Sequence, residues 1–352
     1  MIVFSNMEFL SWQKARFNVF LLQKRIYKSV FIGDFNQAIR IQKLLLLSSS
    51  GRSLAIRFIS KELLNLSIFK FNFKENYIGL VDKFRLSSYL YRFVMNWYPC
   101  ISLDFTIKDI NLLSKDMFLW VVADSCWQCL VKLSLDPACE ALFFPRNLGF
   151  RNDSLIHHVQ RLILMNISSS SYGYQKRVLY ITLPNNFKNS SYSFLLKKLF
   201  LPRSIKLGFY RFLKRTVFCS STNLSFFSLS PLLLNVLYNG IETLHNSIRY
   251  GNEFLLFLRP FDNEVDLINK VLIYISFLGL NKGDLNFNIF NCSLGFNFLG
   301  WFFRASKKRD AFSIPSKENY ILFLKRVKNI INNSNYGSVS YLLCNSFYIS
   351  LF

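Results

Sequence analysis

Apolar side chains recur every three or four positions near the start of the chain. Trp12, Ala15, Val19, Leu22, Ile26 and Val30 form one stripe, while Lys14, Lys24, Arg25 and Lys28 fall outside it. That spacing predicts an amphipathic helix over 8–31 with a basic outer face. Gly33-Asp34 breaks the period, and Asp34 stands where it can cap a second helix running through Leu47. Ser48 to Gly51 read as a loop, and Arg52 to Ile59 open a third helical piece. Residues 205–217 return to the helical period. Ile205, Phe209, Phe212, Leu213 and Val217 lie on one side, Lys206, Arg211, Lys214 and Arg215 on the other. Further on, Ile248 to Tyr250 and Phe254 to Leu258 are short apolar runs on either side of Gly251-Asn252, the pattern of a two-residue β-hairpin.

The charge balance changes the picture. The 352 residues hold 43 Lys+Arg against 20 Asp+Glu, a formal charge of +23, and the pI is about 9.8. Such an excess points to a polyanionic partner. Besides the clusters already named, Lys197-Lys198 with Arg203, the run Lys307-Lys308-Arg309, and Lys317, Lys325, Arg326 and Lys328 add to it. Any one cluster reads as a solvated face; together they read as RNA binding, because phosphate contacts supply most of the affinity. With 51% apolar and 17% aromatic residues the chain is not intrinsically disordered, and 13 glycines exclude collagen-like and linker architectures. The length allows two or three domains. Phe (39) is abundant while Gly (13) and Pro (8) are scarce, the bias of an AT-rich organellar or endosymbiont genome.

Other chemistries find little support. The seven cysteines form no paired framework, and no charged segment followed by a short apolar core opens the chain, so secretion is not expected. Cys126-Trp127-Gln128-Cys129 has no second pair at zinc spacing and reads as part of an apolar helix. His157, His158 and His245 lack carboxylate or Cys partners at usable spacing and read as structural. Two uncharged runs, Thr216 to Ile241 and Asn329 to Phe352, are long enough to span a membrane. The first is rich in Ser and Asn and holds Pro231; the second contains Asn332, Asn333, Asn335 and Gly337. Both are expected to be core segments, with no membrane partner.

A family resemblance runs through most of the chain. Trp12-Gln13-Lys14-Ala15-Arg16, Leu22-Gln23-Lys24-Arg25-Ile26-Tyr27-Lys28, Gly33-Asp34, Gln42-Lys43-Leu44-Leu45 and Leu54-Ala55-Ile56-Arg57 resemble, in order and spacing, the N-terminal segment of group II intron-encoded reverse transcriptases, the maturases. In that family the segment grips intron RNA. Asp124, Gln128, Asp136-Pro137 and Glu140 continue the likeness. So do Gly149-Phe150-Arg151 with His157, Ser230-Pro231-Leu232-Leu233-Leu234-Asn235, and Phe296-Asn297-Phe298-Leu299-Gly300. Pro315-Ser316-Lys317-Glu318 and the basic helix to Ile331 resemble the opening of the thumb. The similarity covers roughly 8 to 335.

The departures fall on the family's polymerase site. Two-metal phosphoryl transfer needs carboxylates at fixed places to hold Mg²⁺. By the resemblance those places are Thr182, in Val178-Leu179-Tyr180-Ile181-Thr182, and Asn252 and Glu253, in Tyr250-Gly251-Asn252-Glu253, where the family has Tyr-Ala-Asp-Asp. One carboxylate of three remains. Phe226-Phe227 stand where the family has two glycines beside the incoming nucleotide, and Lys282 is out of register for the family's lysine after Gly279-Leu280.

The resemblance therefore implies an α+β fold with reverse-transcriptase-like fingers and palm, an N-terminal helical extension and a truncated thumb. The implied divisions are 1–65 for the helical RNA-binding extension, 66–165 for degenerate fingers, 166–304 for the palm-like region and 305–352 for the thumb. The expected function is non-catalytic binding of structured RNA, intron or ribosomal, in a plastid or secondarily a mitochondrion, without cofactor, metal or small-molecule substrate. In kind the chain is similar to plastid reading frames of ribosomal operons that derive from reverse transcriptases and lack the catalytic residues. The expected RNA contacts are Lys14, Lys24, Arg25, Lys28, Lys206, Arg211, Lys214, Arg215, Lys307, Lys308 and Arg309. Two alternatives stand beside this reading: an active intron-encoded reverse transcriptase, and a ribosome-associated structural protein.

Overall fold

The computed structural model describes residues 12–70, 78–99, 115–151, 155–183, 192–215, 229–280, 285–307 and 310–333. Helices and small antiparallel sheets make an α+β protein. The chain forms two compact units from interleaved stretches. One takes the residues through Phe144, Asn185–Asn239 and Ile275–Asn281; the other takes Pro145–Pro184, Gly240–Tyr274 and the residues from Lys282 onward.

The first unit is helical. The expected first helix is α1 (Trp12–Ile32), and it buries Ala15, Val19, Ile26 and Val30 of the expected stripe, with Leu22 half-buried. Trp12 departs from the stripe. It is 37% exposed, its ring covered by the Arg57 guanidinium at 4.1 Å, a cation–π contact that an apolar period cannot reveal. Asp34 caps α2 (Phe35–Leu47) as expected, its Oδ1 accepting from Gln37 N at 3.0 Å. The expected loop at 48–51 shrinks to a single residue. Ser48 Oγ accepts from Gly51 N at 3.0 Å, so α3 (Ser49–Lys70) starts at once. Then follow α4 (Leu80–Phe93) and the long α5 (Lys115–Leu142).

α5 is the hub, with α1, α2, α3 and α4 packed against it. Its segment Phe118–Leu142 is, among the described residues, the one long and apolar enough to cross a membrane, yet more than half of it is buried in the protein. Cys126 and Cys129 sit there as expected, buried in the apolar helix. Trp127 stacks on Trp97 (5.5 Å, 12°), and the two indoles donate to Val94 O at 3.1 Å and Asp124 Oδ1 at 2.8 Å respectively.

Pro137 interrupts this hub. A proline has no N–H, so the carbonyl four residues back, Leu133 O, loses its helical donor. Gln23 of α1 supplies the missing bond, its Nε2 donating to Leu133 O at 2.8 Å. Gln42 of α2 donates to the adjacent Ser134 O at 3.3 Å and to Phe200 O at 2.8 Å. Among the described residues this unit also holds α7 (Tyr192–Lys198), α8 (Arg203–Arg215) and α9 (Ser230–Tyr238). The run Thr216–Ile241 thus holds the buried α9, while 216–228 lie outside the described residues.

The second unit carries the sheets. Helix α6 (Ile156–Ile167) precedes β1 (Arg177–Thr182); β2 (Ser247–Tyr250), β3 (Glu253–Leu258) and β4 (Asn286–Asn291) join it in the order β2-β3-β1-β4, all antiparallel. β1 is paired on both edges and buried on both faces, with Val178, Leu179 and Ile181 fully buried, which accounts for its near-continuous apolar sequence. Val159, Ile163, Val178, Ile248, Leu255 and Phe257 belong to its core. Between β3 and β4 comes α10 (Glu264–Phe277), which is in this unit through Tyr274. A second sheet, β5 (Phe296–Phe298), β6 (Trp301–Arg304) and β7 (Phe312–Pro315), leads into α11 (Lys317–Asn333), two residues longer than expected. Ser316 Oγ accepts from Asn319 N at 3.3 Å at its start.

Two outcomes follow for the hub. Gln23→Ala leaves Leu133 O without a donor and should cost about 1–2 kcal/mol in chemical denaturation. In a Pro137→Ala background, which restores the N–H, the same change should cost markedly less, a coupling of about 1 kcal/mol. Asp136, beside the proline, has its carboxyl pushed up to about 6 by desolvation and by Glu140, against the pull of Lys132. The folded state then holds this proton more tightly than the unfolded chain. Its contribution is present below about pH 4 and fades as pH rises through 6, by on the order of 1–3 kcal/mol. Asp136→Asn should flatten that part of the stability–pH curve.

Candidate nucleic-acid interface and hairpin site

β2 and β3 are joined by Gly251-Asn252, as the flanking apolar runs foretell. Gly251 has φ +61° and Asn252 does not share the positive φ, the pattern of a II′-type turn with glycine first. The register of β1 on β3 sets Thr182 opposite Glu253. Leu183 N donates to Asn252 O at 2.8 Å, and Asn252 Nδ2 donates back to Leu183 O at 3.5 Å. The fold therefore brings Thr182, Asn252 and Glu253, separated by some seventy residues in sequence, to one corner.

That corner offers a hydroxyl, an amide and one carboxylate. Burial raises the Glu253 carboxyl above its ordinary value. Among the described residues, no group of three or more His, Cys, Asp or Glu is arranged to hold a metal ion. A pair of Mg²⁺ ions wants several hard carboxylate oxygens, and this donor set does not fit one.

The hairpin tip is held from two sides. A Cβ on Gly149 would stand 1.9 Å from Gly251 N, so only glycine lets the 146–149 segment lie against the turn. Leu148 N donates to Arg249 O at 2.9 Å and Arg249 N to Arg146 O at 3.1 Å, extending the sheet edge at β2. Phe150 then places its ring 6.0 Å from Tyr250. Beneath the tip, Arg249 and Glu242 form a fully buried ion pair, Nε to Oε1 at 2.5 Å. Arg249 Nη1 also donates to Gly251 O at 2.9 Å, and Gly240 N donates to Glu242 Oε2 at 2.9 Å. Neither residue was singled out from sequence. The signal was there: an arginine inside the apolar run Ser247-Ile248-Arg249-Tyr250 must find a partner to be buried.

The expected RNA contacts divide into groups. Lys14, Lys24, Arg25 and Lys28 are exposed on the outer face of α1. Lys206 is half-buried; its Nζ donates to Leu196 O at 2.8 Å, and desolvation lowers its pKa. Arg211 donates to Asn96 Oδ1 at 2.8 Å and Trp97 O at 3.2 Å, with its guanidinium 3.7 Å from the Tyr98 ring centre. Lys206 thus ties α8 to α7, and Arg211 braces it against the segment after α4. Lys214 and Arg215 lie on α8, their side chains outside the described residues; Lys307 is exposed, and Lys308 and Arg309 lie outside them. So do Phe226-Phe227 and Lys282.

Residues 8–63, which span α1, α2 and most of α3, match the N-terminal domain of reverse transcriptase. The class of the helical segment is thereby that of a reverse-transcriptase N-terminal domain. Over nearly its whole length the chain is similar to Maturase-like protein 1 of Euglena gracilis, 39% identical over 332 residues, 93% of this chain and 72% of that protein. Maturase-like protein 1 of Euglena longa is 40% identical over 361 residues, covering 96% of this chain and 76% of its own. The chain belongs to the group II intron maturase-like family.

The buried pair under the hairpin makes a direct test. Arg249→Met strands the Glu242 carboxylate and should cost about 3–5 kcal/mol by urea denaturation. Adding Glu242→Gln should return part of that loss, since no buried charge then lacks its partner.

Proposed function

We propose that this chain is a maturase-related RNA-binding protein that does not polymerise nucleic acid and works in a plastid. The observation that supports the reading most is the hairpin corner, where Thr182, Asn252 and Glu253 come together at the positions the family resemblance marks. A neutral hydroxyl and an amide cannot supply the charge that two divalent ions and a triphosphate require. The four-stranded sheet with its hairpin supports reading the second unit as palm-like, and α11 as the start of a shortened thumb. The matched helices and the intron-maturase membership support RNA as the partner. Their exposed side chains Lys24, Arg25 and Lys28 are the proposed phosphate contacts. Lys206 and Arg211, spent inside the helical unit, are secondary. The Phe-rich, Gly-poor composition and the Euglena relatives support the plastid address.

Purified protein with primer, template and Mg²⁺ or Mn²⁺ should extend nothing above background; extension would overturn the non-polymerising reading. In gel-shift titrations with intron RNA, about six neutralised phosphates should give a slope of log K against log[salt] of roughly −4 on single strands. Replacing Lys24, Arg25 and Lys28 together by Ala should remove about two units of that slope while leaving the unfolding midpoint within error. Crosslinking followed by sequencing of the bound RNA separates intron from ribosomal targets.

A further inference from the structure

The outer face of α1 is not simply basic. Phe17 is 59% exposed, Phe20 58% and Phe31 72%. With Leu21, Lys24 and Lys28 they follow the three-and-four spacing of one helix face, directly opposite the buried Ala15-Val19-Ile26-Val30 side. α1 contains five Lys or Arg and no Asp or Glu. Tyr27 and Phe31 are already stacked, centroids 6.1 Å apart with planes 10° from parallel, and Phe31 has most of its surface in water.

Large rings standing in solvent in a row are unusual unless something covers them. The chemistry of the cover can be read from what lies between the rings. A protein partner would want charge depleted at the centre of the patch; here Lys24 and Lys28 occupy that centre. An A-form duplex would offer phosphates to the lysines but no π-face to the rings, because its paired bases stack on one another and only their edges reach the grooves. Unpaired nucleotides offer both, a π-face for each ring and a phosphate for each ammonium. From Phe17 to Phe31 the face is about 21 Å long, room for a few nucleotides.

We propose that this face of α1 binds unpaired RNA by stacking bases on Phe17, Phe20 and Phe31 while Lys24 and Lys28 hold the intervening phosphates. The inference rests on the RNA-binding reading above and adds the class of RNA: single-stranded loops or bulges rather than helices.

The test uses the full chain and fluorescence anisotropy with three probes: a short unpaired RNA, the same strand annealed to its complement, and the same strand with abasic sites. Wild-type protein should bind the unpaired strand at least tenfold more tightly than the duplex. Each abasic site that empties a ring should weaken binding roughly tenfold, since the phosphates remain but the stack is lost. The Phe17→Leu, Phe20→Leu and Phe31→Leu triple variant keeps apolar area and removes the rings. It should bind intact and abasic strands within twofold of each other, whereas the corresponding Trp variant should keep the preference. Equal binding of duplex, intact and abasic strands by wild type overturns stacking and leaves the RNA-binding reading standing. Failure to bind any of the three overturns both. A wild-type dimer in sedimentation that Phe17→Ser with Phe31→Ser converts to monomer gives the face to a second copy and overturns the proposal.

Discussion

The missing N–H of Pro137 is the constraint around which the helical unit is organised. α5 is long, apolar and central, and a proline in its body leaves one carbonyl, Leu133 O, that cannot be left bare inside a protein. It is satisfied from outside the helix by Gln23 on α1, while Gln42 on α2 bonds the neighbouring Ser134 O. The bond from Gln23 joins residues 110 positions apart. It sets the rotation of α1 about its axis, because the same turn that brings Gln23 to Leu133 must also bury Ile26. Once α1 is turned that way, Phe17, Lys24, Lys28 and Phe31 have no choice but to face out. The basic and aromatic surface is thus a consequence of how the core closes.

A parallel logic governs the hairpin. Its conformation is held by backbone pairing with β1, by the close approach of Gly149 and by the buried Arg249–Glu242 pair. None of these depends on what side chains stand at 182, 252 and 253. Several carboxylates gathered at such a corner repel one another unless cations neutralise them. Thr182 and Asn252 carry no charge, so this corner is stable by itself, and Asn252 even adds a bond to Leu183 O. The interactions that hold the hairpin therefore lie beneath positions 182, 252 and 253 and not among them.

The two basic helices show why surface charge read from a sequence is an incomplete guide to binding. Lys24, Arg25 and Lys28 on α1, and Lys206 and Arg211 on α8, all fall off the apolar stripe of their helices. The first three stand in water. Lys206 reaches the carbonyl of Leu196, and Arg211 reaches Asn96, Trp97 and the Tyr98 ring. Long cationic side chains can lie along neighbouring elements, and only the position of those neighbours decides whether the charge remains for a ligand.

What the chain's own order of residues determined was local. The three-and-four spacing made α1, Asp34 made the start of α2, and Gly251-Asn252 between apolar runs made the hairpin, because each signal acts over a few residues and uses interactions those residues own. The family motifs likewise pointed to the positions Thr182, Asn252 and Glu253 before any geometry was known. Tertiary structure decided the rest. It turned the span-length apolar segment Phe118–Leu142 into a core helix by surrounding it with others. It placed Trp12 under Arg57 and buried Arg249 against Glu242. Each of these last features needs two groups brought together by the fold, and a periodicity along one strand of sequence carries no information about where the second group will be.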